Sequence, residues 1–190
     1  RVSTARAAHE IQPLRLLVLG GSQGARSINE LLPETLRQSQ CGSQLIITHQ
    51  SGQGRDEQVR RAYADAEISV KVVPYIEDMA WAYRDADLVI ARSGAMTVTE
   101  LCAAGLASIL LPFPHAASNH QAVNARVLAQ AAGAVVIEAS ALDQSRLARE
   151  IDSLARNRNT LVRMGQAARS LARPDATAEV AKHCLELAHA

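Results

Sequence analysis

Six short apolar runs, each strand-sized, divide the first 137 residues: Leu14 to Leu19, Gln44 to Thr48, Val70 to Val73, Leu88 to Ala91, Ser108 to Leu111 and Ala134 to Ile137. Stretches with helical spacing lie between them, near Ala25 to Gln38, Arg55 to Ala66, Met79 to Tyr83, Thr97 to Ala104 and Asn119 to Ala132. Strand and helix alternating in this way build βαβ units, whose right-handed crossovers lay the strands parallel and put helices on both faces. After Ile137 the pattern turns helical, over Asp143 to Arg156, Asn159 to Leu171 and Ala176 to Ala188, with Pro174-Asp175 as a break and cap. The expectation is an α/β domain with a doubly wound, mostly parallel sheet of about six strands and a helical C-terminal tail.

A chain of 190 residues, 48% hydrophobic, suffices for one domain with a real core. Aromatic residues make up 3%, so the core must come from Ala, Leu, Val and Ile, as suits helices packed on a parallel sheet. The 20 basic and 19 acidic residues nearly cancel and are interspersed, which argues against a nucleic-acid partner. Cys41, Cys102 and Cys184 fit neither a disulfide framework nor a zinc site and suggest a reducing compartment. The longest apolar runs, such as Leu106 to Phe113, are strand-sized, too short for a spanning helix. Residues 1–13 are polar and Ala-rich and read as a linker from a preceding N-terminal domain, with a simple tag or tail as the alternative, leaving 14–190 as the domain proper.

In an open α/β sheet, ligands bind outside the carboxyl ends of the strands. The loop after the first strand is Gly20-Gly21-Ser22-Gln23-Gly24-Ala25, opening onto a helix. Glycines let backbone N–H groups approach an anion, and the helix start adds partial positive charge, so a diphosphate fits here. Ser22 could donate a hydroxyl, and Gln23 could reach back to order the loop; a tight turn without a ligand is the alternative. The loop lacks the Gly-Lys-Ser/Thr of a P-loop, and the second strand ends Ile47-Thr48-His49-Gln50 with no acid for an adenosine ribose, which disfavours NAD.

The loop after the fourth strand, from Arg92-Ser93-Gly94 through Ala95, Met96, Thr97, Val98, Thr99 and Glu100, offers small residues before a second helix. Glu100, placed in its first turn, can accept hydrogen bonds from the vicinal hydroxyls of a ribose; equally, Thr97 and Glu100 match a capping box that needs no ligand. After the fifth strand, His115, Asn119, His120, Gln121 and Asn124 gather amide and imidazole groups suited to sugar hydroxyls, or simply cap a helix. Asp85-Ala86-Asp87 looks like a metal-holding DxD but precedes its strand, so no metal is expected there. Cys102, His49, His183, His189 and Met164 read as core or surface residues.

Taken together, the Gly20 to Ala25 loop, the Arg92 to Glu100 segment and His120-Gln121-x-x-Asn124-Ala125 closely resemble the MurG family, in order and spacing, across essentially the whole chain. These are UDP-N-acetylglucosamine transferases that convert lipid I to lipid II in peptidoglycan synthesis. The resemblance implies the donor-binding, C-terminal domain of a GT-B, Rossmann-like enzyme. It places Ser22 on the diphosphate, Ala95 to Glu100 along phosphate and ribose, and the backbone of Ile76, in the Pro74 to Met79 loop, on the uracil edge. It places Gln121 on the N-acetylglucosamine, with His120 and Asn124 nearby. It further implies inverting transfer to the C4 hydroxyl of the muramic acid sugar without metal or other cofactor. Lipid I and the general base would belong to the N-terminal domain. The enzyme would be peripheral to the cytoplasmic face of the bacterial inner membrane. The role of Arg1, where the family has a nucleotide-approaching arginine, stays open. A 2-epimerase or a transferase with another acceptor shares this donor half, and a non-catalytic nucleotide-binding module is the alternative of a different class.

Overall fold

The computed structural model describes residues 13–21, 24–113 and 119–188. The linker expected over residues 1–13, including Arg1, therefore falls almost wholly outside the described residues, as do Ser22, Gln23, His115 and His189.

Six strands form one wholly parallel sheet in the order β3-β2-β1-β4-β5-β6. They are β1 (Arg15–Leu19), β2 (Ile46–Gln50), β3 (Lys71–Val73), β4 (Leu88–Ala91), β5 (Ala107–Leu110) and β6 (Ala134–Val136). The helices are α1 (Arg26–Gln38), α2 (Asp56–Asp65), α3 (Met79–Asp85), α4 (Ala95–Ala104), α5 (His120–Gln130), α6 (Gln144–Ala155), α7 (Arg158–Ser170) and α8 (Ala176–Ala188). Every element expected from the sequence is present, with boundaries moved by no more than two residues. The second strand moved towards its carboxyl end, because pairing rather than apolarity sets its limit: His49 and Gln50 lie opposite Val18 and Leu19 of β1. Gly42 to Gln44, ahead of it, forms a 3-10 turn.

Alternate side chains of each strand point to opposite faces, and the two faces bury separate apolar layers. Leu16 and Val18 of β1, Ile47 of β2, Leu88 and Ile90 of β4 and Ile109 of β5 meet Ile28, Leu32 and Leu36 of α1, Val59 and Tyr63 of α2, and Leu147 and Ile151 of α6. Leu17, Leu19, Val89 and Leu110 face the other way, against Tyr83 of α3, Leu101 of α4 and Ala125 and Leu128 of α5. The helices α4 and α7 touch closely enough that a Cβ on Gly165 would lie 2.4 Å from the carbonyl oxygen of Gly105, the left-handed C-cap of α4. The chain rises on one side of β1 and then on the other, so the topological switch point lies between β1 and β4.

Candidate functional site

β1 and β4 leave the sheet side by side, with Leu19 opposite Ala91. The chain then folds back as α1 on one face and as α4 on the other, so two helix starts flank one crevice at the carboxyl edge. The first N–H groups of a helix have no partner inside it and carry much of its positive end. Neither N-cap residue occupies them: Ala25 and Gly94 stand there without a side-chain cap bond.

The glycine turn between β1 and α1 sits on the end of β2. Gly20 donates its N–H to Gln50 O at 2.9 Å, and a Cβ there would come within 2.6 Å of the same oxygen. Gly24 takes φ +74°, and its Cβ would come within 2.3 Å of Ser51 O. Glycine is thus required at position 24 twice over, by backbone conformation and by contact. Ser22 and Gln23, assigned to the diphosphate and to loop order, lie outside the described residues.

Helix α4 corrects the capping box. It starts at Ala95, so Thr97 is its third residue and Glu100 its sixth, one turn beyond the expected position. The extended backbone of Gly94 opens the helix directly after β4, and the Ser93 hydroxyl is drawn instead to Gln121 O at 2.8 Å. Ala95, Met96 and Thr97 form the open first turn, Thr99 bonds back to Ala95 O, and Val98 packs partly buried on the core. Freed from capping, the half-buried Glu100 accepts a hydrogen bond through Oε2 from the Tyr83 hydroxyl of α3 at 2.8 Å. Burial, with Glu100 beside it, raises the Tyr83 phenol, so it remains a proton donor. Tyr83 has no sequence signal linking it to Glu100; the packing of α3 on α4 brings them together.

The segment Pro74 to Asp78 carries the chain from edge strand β3 to α3, and Ile76 packs against the α3–α4 side of the core rather than staying at the edge. Asp78 caps α3 by accepting from Trp81 N at 2.8 Å. The loops after β4 and β5 are stitched together. Arg92 donates to Leu111 O at 2.7 Å and Pro112 O at 2.9 Å, reaches Ser27 at the start of α1, and lies 5.4 Å from the Phe113 ring centroid. Burial lowers its pKa from the usual arginine value, yet a guanidinium remains cationic. Gln121 accepts from Phe113 N at 2.9 Å, and Asn124 donates to Ser93 O at 3.1 Å. Of the three residues assigned to the sugar, Asn124 thus braces a loop, Gln121 keeps its amide NH₂ as its donor end, and His120 is exposed at the first turn of α5. Asn119, read alternatively as a side-chain N-cap, holds the N-cap position in left-handed conformation, φ +54°, without a cap bond.

Asp85 and Asp87 lie at the opposite, amino edge of the sheet. Asp85 pairs with Arg15 at 2.9 Å; Asp87 pairs with Arg158 at 2.9 Å and accepts Arg15 N. Cys102 is buried, which pushes its thiol up and away from nucleophilic use.

Residues 15–180 match the family model described as glycosyltransferase family 28 C-terminal domain. The chain belongs to that family. A relative in Aromatoleum aromaticum is 46% identical over 97% of this chain and 51% of its own length. It is named UDP-N-acetylglucosamine–N-acetylmuramyl-(pentapeptide) pyrophosphoryl-undecaprenol N-acetylglucosamine transferase. The crystal structure of Acinetobacter baumannii MurG is 40% identical and superposes with a TM-score of 0.87, covering 94% of this chain and 51% of that one. UDP-GlcNAc 2-epimerase from Neisseria meningitidis, 12% identical, shares the fold with a TM-score of 0.60 over 93% of this chain and 45% of its own. This family 28 domain spans about half the length of the curated relatives it matches.

Two residues have partnerships that the sequence alone did not reveal. Arg92 carries a signal in retrospect, being a cation placed just after a buried strand. His49 carries one too: it shares a face of β2 with Ile47, and a polar side chain at a core position needs partners. It is fully buried, bonded to Tyr63 Oη at 2.8 Å and Asn29 Oδ1 at 3.1 Å, and burial lowers its pKa from 6.5 to about 4. Between those values the unfolded ring takes up a proton that the native ring refuses. Stability is therefore fully present above pH 6.5 and falls as pH drops to about 4, by roughly 3 kcal/mol. Denaturant melts of the native chain and of His49→Gln across this range should differ in slope; parallel pH dependences would refute the assignment.

Proposed function

We propose that this chain is the donor-binding half of an inverting glycosyltransferase that moves N-acetylglucosamine from UDP-N-acetylglucosamine to the C4 hydroxyl of lipid I, giving lipid II in peptidoglycan synthesis. One observation carries the reading. Two uncapped helix starts flank the switch point, and a carboxylate beside them is oriented by Tyr83. That is the arrangement a ribosyl diphosphate requires. The names of the relatives supply the donor and the acceptor.

In this reading the turn N–H groups and the start of α4 take the diphosphate, with Ser22 adding its hydroxyl. The free oxygen of Glu100 takes the ribose, the backbone of Ile76 the uracil, and Gln121 with His120 the sugar. Negative charge grows on the departing UDP as the glycosidic bond breaks, and preorganised N–H groups and helix ends stabilise it electrostatically, without metal. Asp85 and Asp87, which could suggest a metal, are committed to arginines at the far edge of the sheet. The acceptor lipid and the general base belong to the other half of the enzyme. The whole acts peripherally at the cytoplasmic face of the membrane; among the described residues no helix is long and apolar enough to cross it.

Calorimetric titration of this chain tests the reading. UDP and UDP-N-acetylglucosamine should bind, with ATP at least about tenfold weaker, a difference of about 1.4 kcal/mol. Preference for ATP would overturn the uracil assignment, and turnover of lipid I by this chain alone would overturn the division of labour.

A further inference from the structure

One group of buried polar residues takes no part in the proposed ligand contacts. Asn29, His49 and Ser51 are 6%, 0% and 0% exposed, and with Tyr63, also 0%, they form one hydrogen-bonded chain. It runs from Tyr63 Oη to His49 Nδ1 at 2.8 Å, from His49 Nε2 to Asn29 Oδ1 at 3.1 Å, and from Asn29 Nδ2 to Ser51 O at 2.9 Å.

The direction of every bond is fixed by the last one. A backbone carbonyl only accepts, so Asn29 must turn its NH₂ to Ser51 and its oxygen to His49. That oxygen also only accepts, so His49 carries its proton on Nε2. Its Nδ1 is then an acceptor, and the Tyr63 O–H donates to it. The result is a single-sense relay from α2 through β2 to α1, ending on the carbonyl of Ser51.

Ser51 O is the oxygen against which Gly24 is seated, 2.3 Å from where a Cβ would lie, next to the Gln50 carbonyl that holds Gly20 N. Asn29 belongs to the first turn of α1, the helix whose start faces the proposed diphosphate. We propose that Asn29, His49 and Tyr63 are positioning residues that hold the glycine turn and the start of α1 in anion-binding register. The inference rests on the proposed nucleotide site for its ligand, but its geometry stands without one.

Asn29→Ala cuts the relay at the turn; Tyr63→Phe removes one hydroxyl at its far end and keeps the ring. Both are compared with the native chain well below their melting temperatures, so that every protein is folded. UDP affinity should fall about tenfold in Asn29→Ala and about threefold in Tyr63→Phe, the loss expected of one buried hydrogen bond and a fraction of one. Amide exchange at Gly20 and Gly24 should quicken in the same order, while exchange in β5 stays as it was. Nitrogen NMR of the native chain should show His49 as the neutral Nε2–H tautomer. Variants that melt earlier yet keep native UDP affinity and native exchange at Gly20 and Gly24 would reduce the relay to ordinary core stabilisation and overturn the proposal, as would an Nδ1–H tautomer. A native chain that binds no UDP would instead overturn the proposed function, and the exchange and tautomer measurements would still decide the relay.

Discussion

Glu100→Ala should lower UDP affinity on the order of 100-fold while the fold survives. A hydrogen bond to a charged group contributes about 1.5–3 kcal/mol, and the Glu100 carboxylate can make more than one with a vicinal diol. At 1.36 kcal/mol per tenfold, one or two such bonds span the expected loss. The effect on stability is smaller. Glu100 is half-buried in the second turn of α4, alanine is the best helix former, and the principal native cost is the Tyr83 hydroxyl left without its acceptor. That is worth about 1 kcal/mol, or roughly 2–4 °C in Tm for a domain of this size. Tyr83→Phe should fall between native and Glu100→Ala in affinity, because it leaves the carboxylate but releases its orientation. Paired calorimetry and thermal melts decide the matter. A large drop in Tm with native affinity would make Glu100 a structural residue.

Gly24→Ala should do the opposite, damaging fold and site together. Alanine at φ +74° costs about 1–2 kcal/mol relative to glycine. The added methyl also meets the Ser51 carbonyl at 2.3 Å, and that oxygen already accepts a hydrogen bond from Asn29 Nδ2 at 2.9 Å. Neither partner can yield without moving the end of β2 or the start of α1, so the combined destabilisation should reach about 2–4 kcal/mol. UDP binding should become undetectable by calorimetry even at temperatures where the variant is folded. Gly21→Ala is the control: it shares the positive φ, +73°, but no atom of the described residues lies within 4 Å of its Cβ, so backbone strain alone should cost it much less. Equal losses in the two variants would show that conformation, not the seat on Ser51, is what position 24 requires.

The two experiments probe different determinants, and these differ in how far they can be read from sequence. Alternating apolar runs and helical stretches specified the parallel sheet, because period-2 and period-3.6 burial are local properties. Right-handed crossovers leave several strand orders open, so the order β3-β2-β1-β4-β5-β6, which sets the first- and fourth-strand loops side by side, came from the fold. Gly20, Gly21 and Gly24 announced a turn, since glycine alone combines positive φ with close approach. Glu100 announced a carboxylate near a helix start. The capping box was a local pattern that the fold overruled: β4 ends at Ala91, and the chain turns into α4 at Gly94 before Thr97 is reached.

What the tertiary structure decided are the partnerships between residues far apart in the chain. Tyr83 orients Glu100 because α3 packs beside α4; Arg92 ties the loops after β4 and β5 to the start of α1 because its strand sits at the switch point; Asn29 reaches Ser51 because α1 packs over β2. No spacing encodes such pairs, since side chains that touch through packing need satisfy only distance in space and the demand of buried polar groups for a partner. The amino-acid sequence by itself thus determined the sheet, its loops and the residue types at the crevice, whereas long-range packing settled which of those residues are partnered with one another.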